Sequence, residues 1–454
     1  MKNEQEKERK SIFLCGTGKE KITPQDELIP NLRGLMDSRF GGVVDDLYVR
    51  AVALKNNKTT LLFLSFDLDK VPCPEENLEF LEKQTEVAKE AIMLVSIHTH
   101  SAPVAGYRPY EGPNDITRKS PEVQQATKAY EKFIQNQMLK AVRQALSGMQ
   151  PAVYGYEYGK SYVNVNRIAF YETLDREGNL HTVLGTGTNF AREADRTLFV
   201  MRFSTPDGRP LAFLINYPCH NTVMILNSCG EGKKVGISSD MGGNVSQHME
   251  EIYEGAVAVW TSGAAGDLNP VMSNQVYREE LKTGEPVEYY EKDGSIPLAM
   301  LETLAAHHLA DIRKTERKIC NLKTLPVLDA GVRWVTAPGS MENGEEVPYK
   351  VRIHKMRVGS VVFIGFNGEV YSGLGRRLKE KSAEKDLILV NHDASLLYNT
   401  GYIYGDEIFC LKEKYEGEIV GMNHTWLKPG YIEDMLERGI TSLCKSKTGR
   451  IENE

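Results

Sequence analysis

"MLVSIHTHSAPVAG", residues 93–106, carries a short apolar run straight into His98 and His100 and then breaks at Pro103 and Gly106. An apolar run of that length, closed by turn residues, reads as a strand buried on both faces. In extended chain residues i and i+2 share a face, so two of the ten histidines can reach into one space beyond the strand end. Upstream, "TTLLFLSFDL" (59–68) reads as a second buried strand, and "EENLEFLEKQTEVAKE" (75–90) between the two as a helix. A strand–helix–strand start of this kind belongs to the α/β class.

The same alternation continues to the end of the chain. Further strands are expected at 211–217, 256–262, 351–358, 361–366 and 387–393, and helices at 242–253, 298–316, 373–383 and 431–443. The clearest helix is 121–147: Ser120 is placed to cap it, Pro121 suits its first turn, and Gly148 stops it. Its apolar residues, Val123, Ala126, Phe133, Ile134, Met138, Ala141, Val142 and Ala145, recur at spacings of three and four. No repeat, Pro/Gly/Ser-rich linker or low-complexity block interrupts the pattern. A single large α/β domain over 11–445, with mixed sheets flanked by helices, is therefore expected, with mobile tails at 1–10 and 446–454.

Composition narrows the function. The chain has 454 residues and a formal charge of −7, with no basic stripe that would recruit nucleic acid. The N-terminus reads as a charged run followed by too few apolar residues for a secretory signal. No stretch approaches the roughly 18 uninterrupted apolar residues of a membrane helix. The seven cysteines are scattered and never form a Cys-x-x-Cys pair, which points to free thiols and a cytoplasmic location and away from a thiolate zinc site.

Other apolar runs also end in turns rich in glycine or potential ligands. "LAFLINYPCHNTVM" (211–224) delivers His220 past a strand, and "VVFIGFNGEVYSGLGRRL" (361–378) delivers Glu369 at the start of a helix. "GISSDMGGN" (236–244) and "TSGAAGDLNP" (261–270) present Asp240 and Asp267, either to orient ligand histidines or to cap the adjoining helices and turns. Loops at strand ends are where α/β sheets assemble sites. "SSDMGGN" lacks a Walker lysine and the Gly-x-Gly-x-x-Gly order, so it is no nucleotide cradle. A Ser-His-Asp triad lacks its Gly-x-Ser-x-Gly elbow. His307 and His308 sit in a helix and are given no metal role; His181, His354, His392 and His424 stay unassigned, and Asp393 can border the site.

An ordered series of motifs resembles the neutral, non-lysosomal ceramidases, zinc amidases that cleave N-acyl-sphingosine. It comprises "GTGKEKITP" (16–24), "HTHSAP" (98–103), "NVNRIAFY" (164–171), "NYPCHNTV" (216–223), "SSDMGGNVSQHME" (238–250), "SGAAGDLNP" (262–270), "NGEVYSGLGRRL" (367–378) and "NTGYIYGDEIFCLKEKYEGE" (399–418). The chain looks like a short, bacterial-type member with the catalytic domain and without the C-terminal β-sandwich. The resemblance implies one zinc ion per chain held by His98, His220, Glu369 and Tyr402, with His100, Arg167 and Tyr415 as catalytic residues. Tyr402 and Tyr415 lie one residue further apart than the family pattern.

Two imidazoles and a carboxylate suit a catalytic zinc, which needs nitrogen and oxygen donors and a position open to water. The expected reaction is hydrolysis of a small-molecule N-acyl amide, ceramide-like or other, by zinc-activated hydroxide. In this scheme Arg167 and Tyr415 stabilise the oxyanion and His100 serves the leaving amine. Where several family members carry a serine in Gly-Asp-x-Ser-Pro, this chain has Asn269, whose amide cannot form an acyl intermediate. Two other readings are a TIM-barrel amidohydrolase, whose His-x-His also follows an early strand, and a non-catalytic binding protein that keeps the metal as scaffold.

Overall fold

A computed structural model describes residues 12–105, 115–340, 344–394, 400–417 and 426–446, and the backbone of 452–453. The expected tail 1–10, nearly all of 446–454, and His424 lie outside the described residues.

Three sheets carry the architecture. In the first, Thr60–Phe66 runs parallel to Ile92–Ser96 and antiparallel to Tyr48–Lys55, which pairs with Leu14–Lys21. In the second, Pro210–Tyr217 runs parallel to Val257–Ser262, and the antiparallel strands Thr197–Ser204 and Val153–Lys160 extend it. In the third, Val361–Phe366 runs parallel to Asp386–Val390 and antiparallel to Tyr349–Val358, followed by Leu328–Ala337. A fourth sheet is built around Asn164–Leu174 and Leu180–Asn189. These are open mixed sheets, each parallel pair flanked by antiparallel strands, so the eight-stranded parallel barrel is excluded.

Helices cover the outer faces. Pro121–Ser147 has the predicted bounds and ends at Gly148, although Ser120 makes no side-chain capping bond. It lies on the first sheet at close range, because a Cβ at Gly16 or Gly18 would fall 2.0 Å from the carbonyl oxygen of Ala145 or Ala141. Asp240–Ile252 and Ser295–Glu316 pack on the second sheet around the buried Trp260, and Ser372–Lys381 and Ile432–Lys445 on the third. The first two sheets face each other through a shared apolar core that includes Leu62, Leu64, Met201 and Val259.

Each main sheet thus contains one parallel pair of strands five residues or longer, besides the short pairing of Leu328–Ala337 with Glu452–Asn453 in the third, and the carboxyl ends of the three long pairs meet. Backbone bonds stitch the junction: His98 N donates to Leu68 O (2.9 Å), His100 N to Asn221 O (3.2 Å), Asn391 N to Ser262 O (2.9 Å) and Ala394 N to Leu94 O (2.7 Å).

Candidate metal centre

Most of the chemically active side chains at the junction sit just past the end of one of these six strands, whereas Arg167 lies within Asn164–Leu174 and Tyr402 within the short strand Tyr402–Ile403. Asp69 follows Thr60–Phe66, His98 and His100 follow Ile92–Ser96, His220 follows Pro210–Tyr217, Glu369 follows Val361–Phe366, and His392 follows Asp386–Val390. His98 and His392 both take left-handed backbone conformations, φ 65° and 63°. Such conformations cost roughly 1–3 kcal/mol each in a non-glycine residue and collect where function over-determines the chain. Their rings stack, centroids 3.9 Å apart.

The hydrogen-bond partners fix the tautomers. His220 Nδ1 faces the carbonyl oxygen of Leu268 at 3.1 Å, and His98 Nδ1 faces Asp69, 3.0 Å from its carbonyl and 2.7 Å from its carboxylate. These partners only accept, so each Nδ1 carries a proton and each Nε2 is the position left to take a further proton or a metal ion. Those Nε2 atoms point at one another and at a carboxylate. His220 Nε2 lies 3.0 Å from Glu369 Oε2, His98 Nε2 lies 3.5 Å from the same oxygen, and His100 Nε2 lies 3.1 Å from His98 Nε2. Imidazole nitrogens and a carboxylate gathered in a buried space are satisfied by a shared proton or by a cation between them. Neighbouring donors around a tetrahedral zinc are separated by about 3.3 Å, which matches this spacing. His98, His100 and His220, and again His98, Glu369 and His392, each gather their ligand atoms within 4.8 Å, so this buried His/Glu group could hold a metal ion.

Electrostatics bear this out. Burial disfavours a charge on His98, yet the Glu369 and Asp69 carboxylates outweigh it and hold its pKa up to about 10. Burial would raise the Glu369 carboxyl, but the charge on His98 and the bond from His220 keep it well below the usual carboxylate range. Burial, with Arg167 beside it, pushes His220 down to about 4, and burial with the charge on His98 keeps His100 and His392 well below the ordinary imidazole value. Without a metal the group holds one proton where an ion would sit. Once that proton leaves, neutral imidazoles and one carboxylate remain.

Arg167 lies against this group. It is buried, and its guanidinium donates to Gly266 O (3.1 Å through Nε), to Asn269 Oδ1 (3.3 Å) and to the Tyr402 hydroxyl (3.0 Å), with His220 Nε2 at 3.4 Å. Among the described residues no carboxylate forms a close ion pair with it, although the Glu369 charge acts on it, and it brings a positive charge into the site. Tyr402 stands opposite Glu369 in a short parallel bridge, its phenol kept protonated by burial and by the Glu369 charge. Tyr415 is set further out: its ring meets Phe170 edge-on at 5.1 Å and packs beside the aromatic cluster that contains Tyr402.

The structure therefore brings His98, His100, Arg167, His220, Glu369 and Tyr402 together and places Tyr415 at their rim. Asp267 and Asp240 act as caps and loop anchors. Asp267 accepts from Ser372 N (2.6 Å), Ser372 Oγ (2.8 Å) and Asn166 Nδ2 (2.9 Å), and Asp240 from Met241 N (2.7 Å) and Met224 N (2.8 Å). Asp393 borders the site from behind, and His308 is a buried packing residue bonded to Ser161 and Trp260. Asp69 and His392 escaped the sequence reading. Both carry the signature that exposed His98 and His220, a potential ligand directly after an apolar run, in "FLSFDLD" and "LILVNH".

This assembly of open mixed sheets around a histidine-lined junction is the neutral ceramidase fold. The chain superimposes on the neutral ceramidase of Pseudomonas aeruginosa with a TM-score of 0.69 at 15% identity, covering 98% of this chain and 77% of that one. It matches a ceramidase structure "complexed with C2" with a TM-score of 0.72 at 14% identity and the same coverage. No protein-family model and no curated protein matches the sequence. No helix among the described residues is long and apolar enough to cross a membrane.

Proposed function

We propose that the protein is a zinc-dependent hydrolase that cleaves a linear N-acyl amide, of the ceramide type or a related one. The observation that carries this reading is the meeting of His98 Nε2, His220 Nε2 and Glu369 Oε2 at one buried point beside the Arg167 guanidinium. The fold shared with ceramidases supports the reaction class.

His98, His220 and Glu369 would hold one divalent ion, with Tyr402 or His392 completing the set. Imidazole and carboxylate donors with a position to spare favour zinc. Bound there, the ion supplies Lewis acidity and makes water nucleophilic near neutral pH. The remaining steps belong to the chain's own groups. Arg167 donates to the oxygen of the amide carbonyl as negative charge develops on it, joined by the protonated Tyr402 hydroxyl where His392 is the fourth ligand. His100, kept neutral by burial and by the charge on His98, accepts the proton released by the attacking water and returns it to the departing amine. Tyr415 enters as a second donor at the rim on the strength of its motif. Asn269 offers no nucleophile, so no acyl intermediate forms on it. All seven cysteines are free thiols, which supports action in a reducing cytoplasm.

A panel of N-acyl amides offered to the zinc-loaded protein tests the reading. Arg167→Ala should retain zinc and lose about a hundredfold or more in kcat/KM, the usual effect of removing one oxyanion donor. Metal content by mass spectrometry and turnover on the same samples decide it. Full activity in that variant would remove Arg167 from the mechanism, and a parent that binds zinc but turns over no amide would favour the non-catalytic binding protein.

A further inference from the structure

A cleft of about 790 Å³ opens where the second, third and fourth sheets adjoin, within the range of about 300–1,000 Å³ typical of small-molecule sites. Val153–Lys160 and Thr197–Ser204 contribute one wall, and the turn before Leu387 and the helix Ser372–Lys381 contribute the other. The buried Asn166 and Asp267 form its floor. His98, His220, Glu369 and Tyr402 do not line it, so it is separate from the metal centre. The two share only a partition: Arg167 N donates to Asp267 O (2.9 Å), and the Arg167 guanidinium to Gly266 O (3.1 Å).

Charge on the cleft walls is unbalanced in one direction. Seven lysines and arginines line it against five acids, and each of those acids already has a partner. Glu407 accepts from Arg377 Nη2 (2.7 Å), Asp195 from Lys379 Nζ (3.3 Å) and Glu384 from Arg357 Nη1 (3.3 Å), while Glu193 lies 3.7 Å from Arg376. Asp267 is occupied by Ser372 and Asn166. Lys160, Arg192, Arg196 and Lys385 are left over: among the described residues none of their side chains makes a hydrogen bond or an ion pair. Arg196 is nevertheless held in place, its guanidinium 4.9 Å from the centroid of the Tyr162 ring, a contact that leaves its N–H groups free. Lys160 stands opposite Thr197, the residue after Arg196, so two of these cations are neighbours. A cleft walled by surplus charge of one sign focuses the field and concentrates counter-ions.

We propose that this cleft is a second ligand site, apart from the metal centre, that binds a small molecule carrying phosphate groups. A phosphate group brings about two negative charges and three acceptor oxygens near neutral pH. Arginine forks match those oxygens in pairs, and lysine ammonium groups meet them as point charges, which is what the two arginines and two lysines offer. The depth of the cleft, from the exposed Tyr162 at its mouth to Asn166 and Asp267, admits a whole molecule and so favours a free phosphate compound over a lipid headgroup.

Calorimetric titration of the full chain with fructose 1,6-bisphosphate and with AMP tests this, with glucose as the uncharged control. At least one of the phosphate compounds should bind once per chain, and glucose should not bind. Arg196→Ala and Lys385→Ala should each weaken that binding about tenfold or more, the usual effect of losing one charged hydrogen bond, with zinc content and melting temperature unchanged. Absence of saturable binding for both compounds overturns the proposal. So does binding that survives intact in both variants, because the anion then sits at the metal centre. Vesicles of phosphatidylcholine with and without phosphatidic acid separate the two sources of phosphate: capture of the protein by the acidic vesicles, without uptake of either soluble compound, would assign the four cations to a membrane surface and sink the cleft as a site.

Discussion

Glu369→Gln should strip the protein of its metal: zinc falls from about one ion per chain to background, and amide hydrolysis disappears with it. The substitution keeps the shape of the side chain and removes only the charge. That charge, with Asp69, balances His98, and Glu369 Oε2 faces both His98 Nε2 and His220 Nε2. His98→Ala and His220→Ala should lose the ion equally. The fourth ligand is separable: Tyr402 stands opposite Glu369 in the short bridge, whereas His392 stacks on His98, so whichever of Tyr402→Phe and His392→Ala weakens zinc more identifies it. Uptake should also depend on pH in a defined sense. In the metal-free protein His98 holds a proton up to about pH 10, and the ion must displace it. Apparent affinity should therefore rise about tenfold per pH unit across the neutral range, with one proton released per ion. Zinc retained by Glu369→Gln, or affinity flat between pH 6 and 8, would sink the proposed centre.

The sequence revealed the part of the fold that matters for this site, and the reason is physical. Of the seven strands expected, six are the three parallel pairs: 59–68 with 91–97, 211–217 with 256–262, and 361–366 with 387–393. Parallel strands are buried on both faces and read as continuous apolar runs. The strands left unread, Leu14–Lys21, Val153–Lys160, Leu180–Asn189 and Leu328–Ala337 among them, lie in antiparallel pairings and are broken by glycine or by charged residues on their open faces. Sites form at the carboxyl ends of parallel strands, so the legible strands led directly to His98, His220 and Glu369. Register and handedness were not legible. The stacking of His392 on His98 depends on two left-handed residues, one just past a strand of the first sheet and one just past a strand of the third, and no local pattern announces that. Asp69 was hidden for a similar reason: its role exists only because Thr60–Phe66 and Ile92–Ser96 are neighbours in parallel register.

The largest effect on stability is expected behind the site, at Asp393. This buried carboxylate accepts from His354 Nδ1 (2.7 Å) and Arg352 Nη1 (3.0 Å), both on Tyr349–Val358, and from Leu94 N (3.3 Å) on the first sheet. Its own backbone N donates to Phe366 O (2.9 Å). One side chain thus clamps the first sheet to the third, immediately after His392. In Asp393→Asn, Arg352 and His354 stay buried without their counter-charge, a change that costs about 3–5 kcal/mol. The pH dependence comes from the direction of its shift. Burial alone would raise the Asp393 carboxyl, but the charges of His354 and Arg352 outweigh it and hold its pKa below the ordinary value. A carboxyl depressed in the folded state contributes its full stability above the unfolded pKa of about 3.9 and loses it as pH falls through the folded value. Urea unfolding should therefore show the widest gap between parent and Asp393→Asn near neutral pH, closing below about pH 4. A gap under about 1 kcal/mol at neutral pH would mean that backbone bonds alone join the two sheets. A gap that persists undiminished into acid would mean that the carboxylate charge is not what holds them.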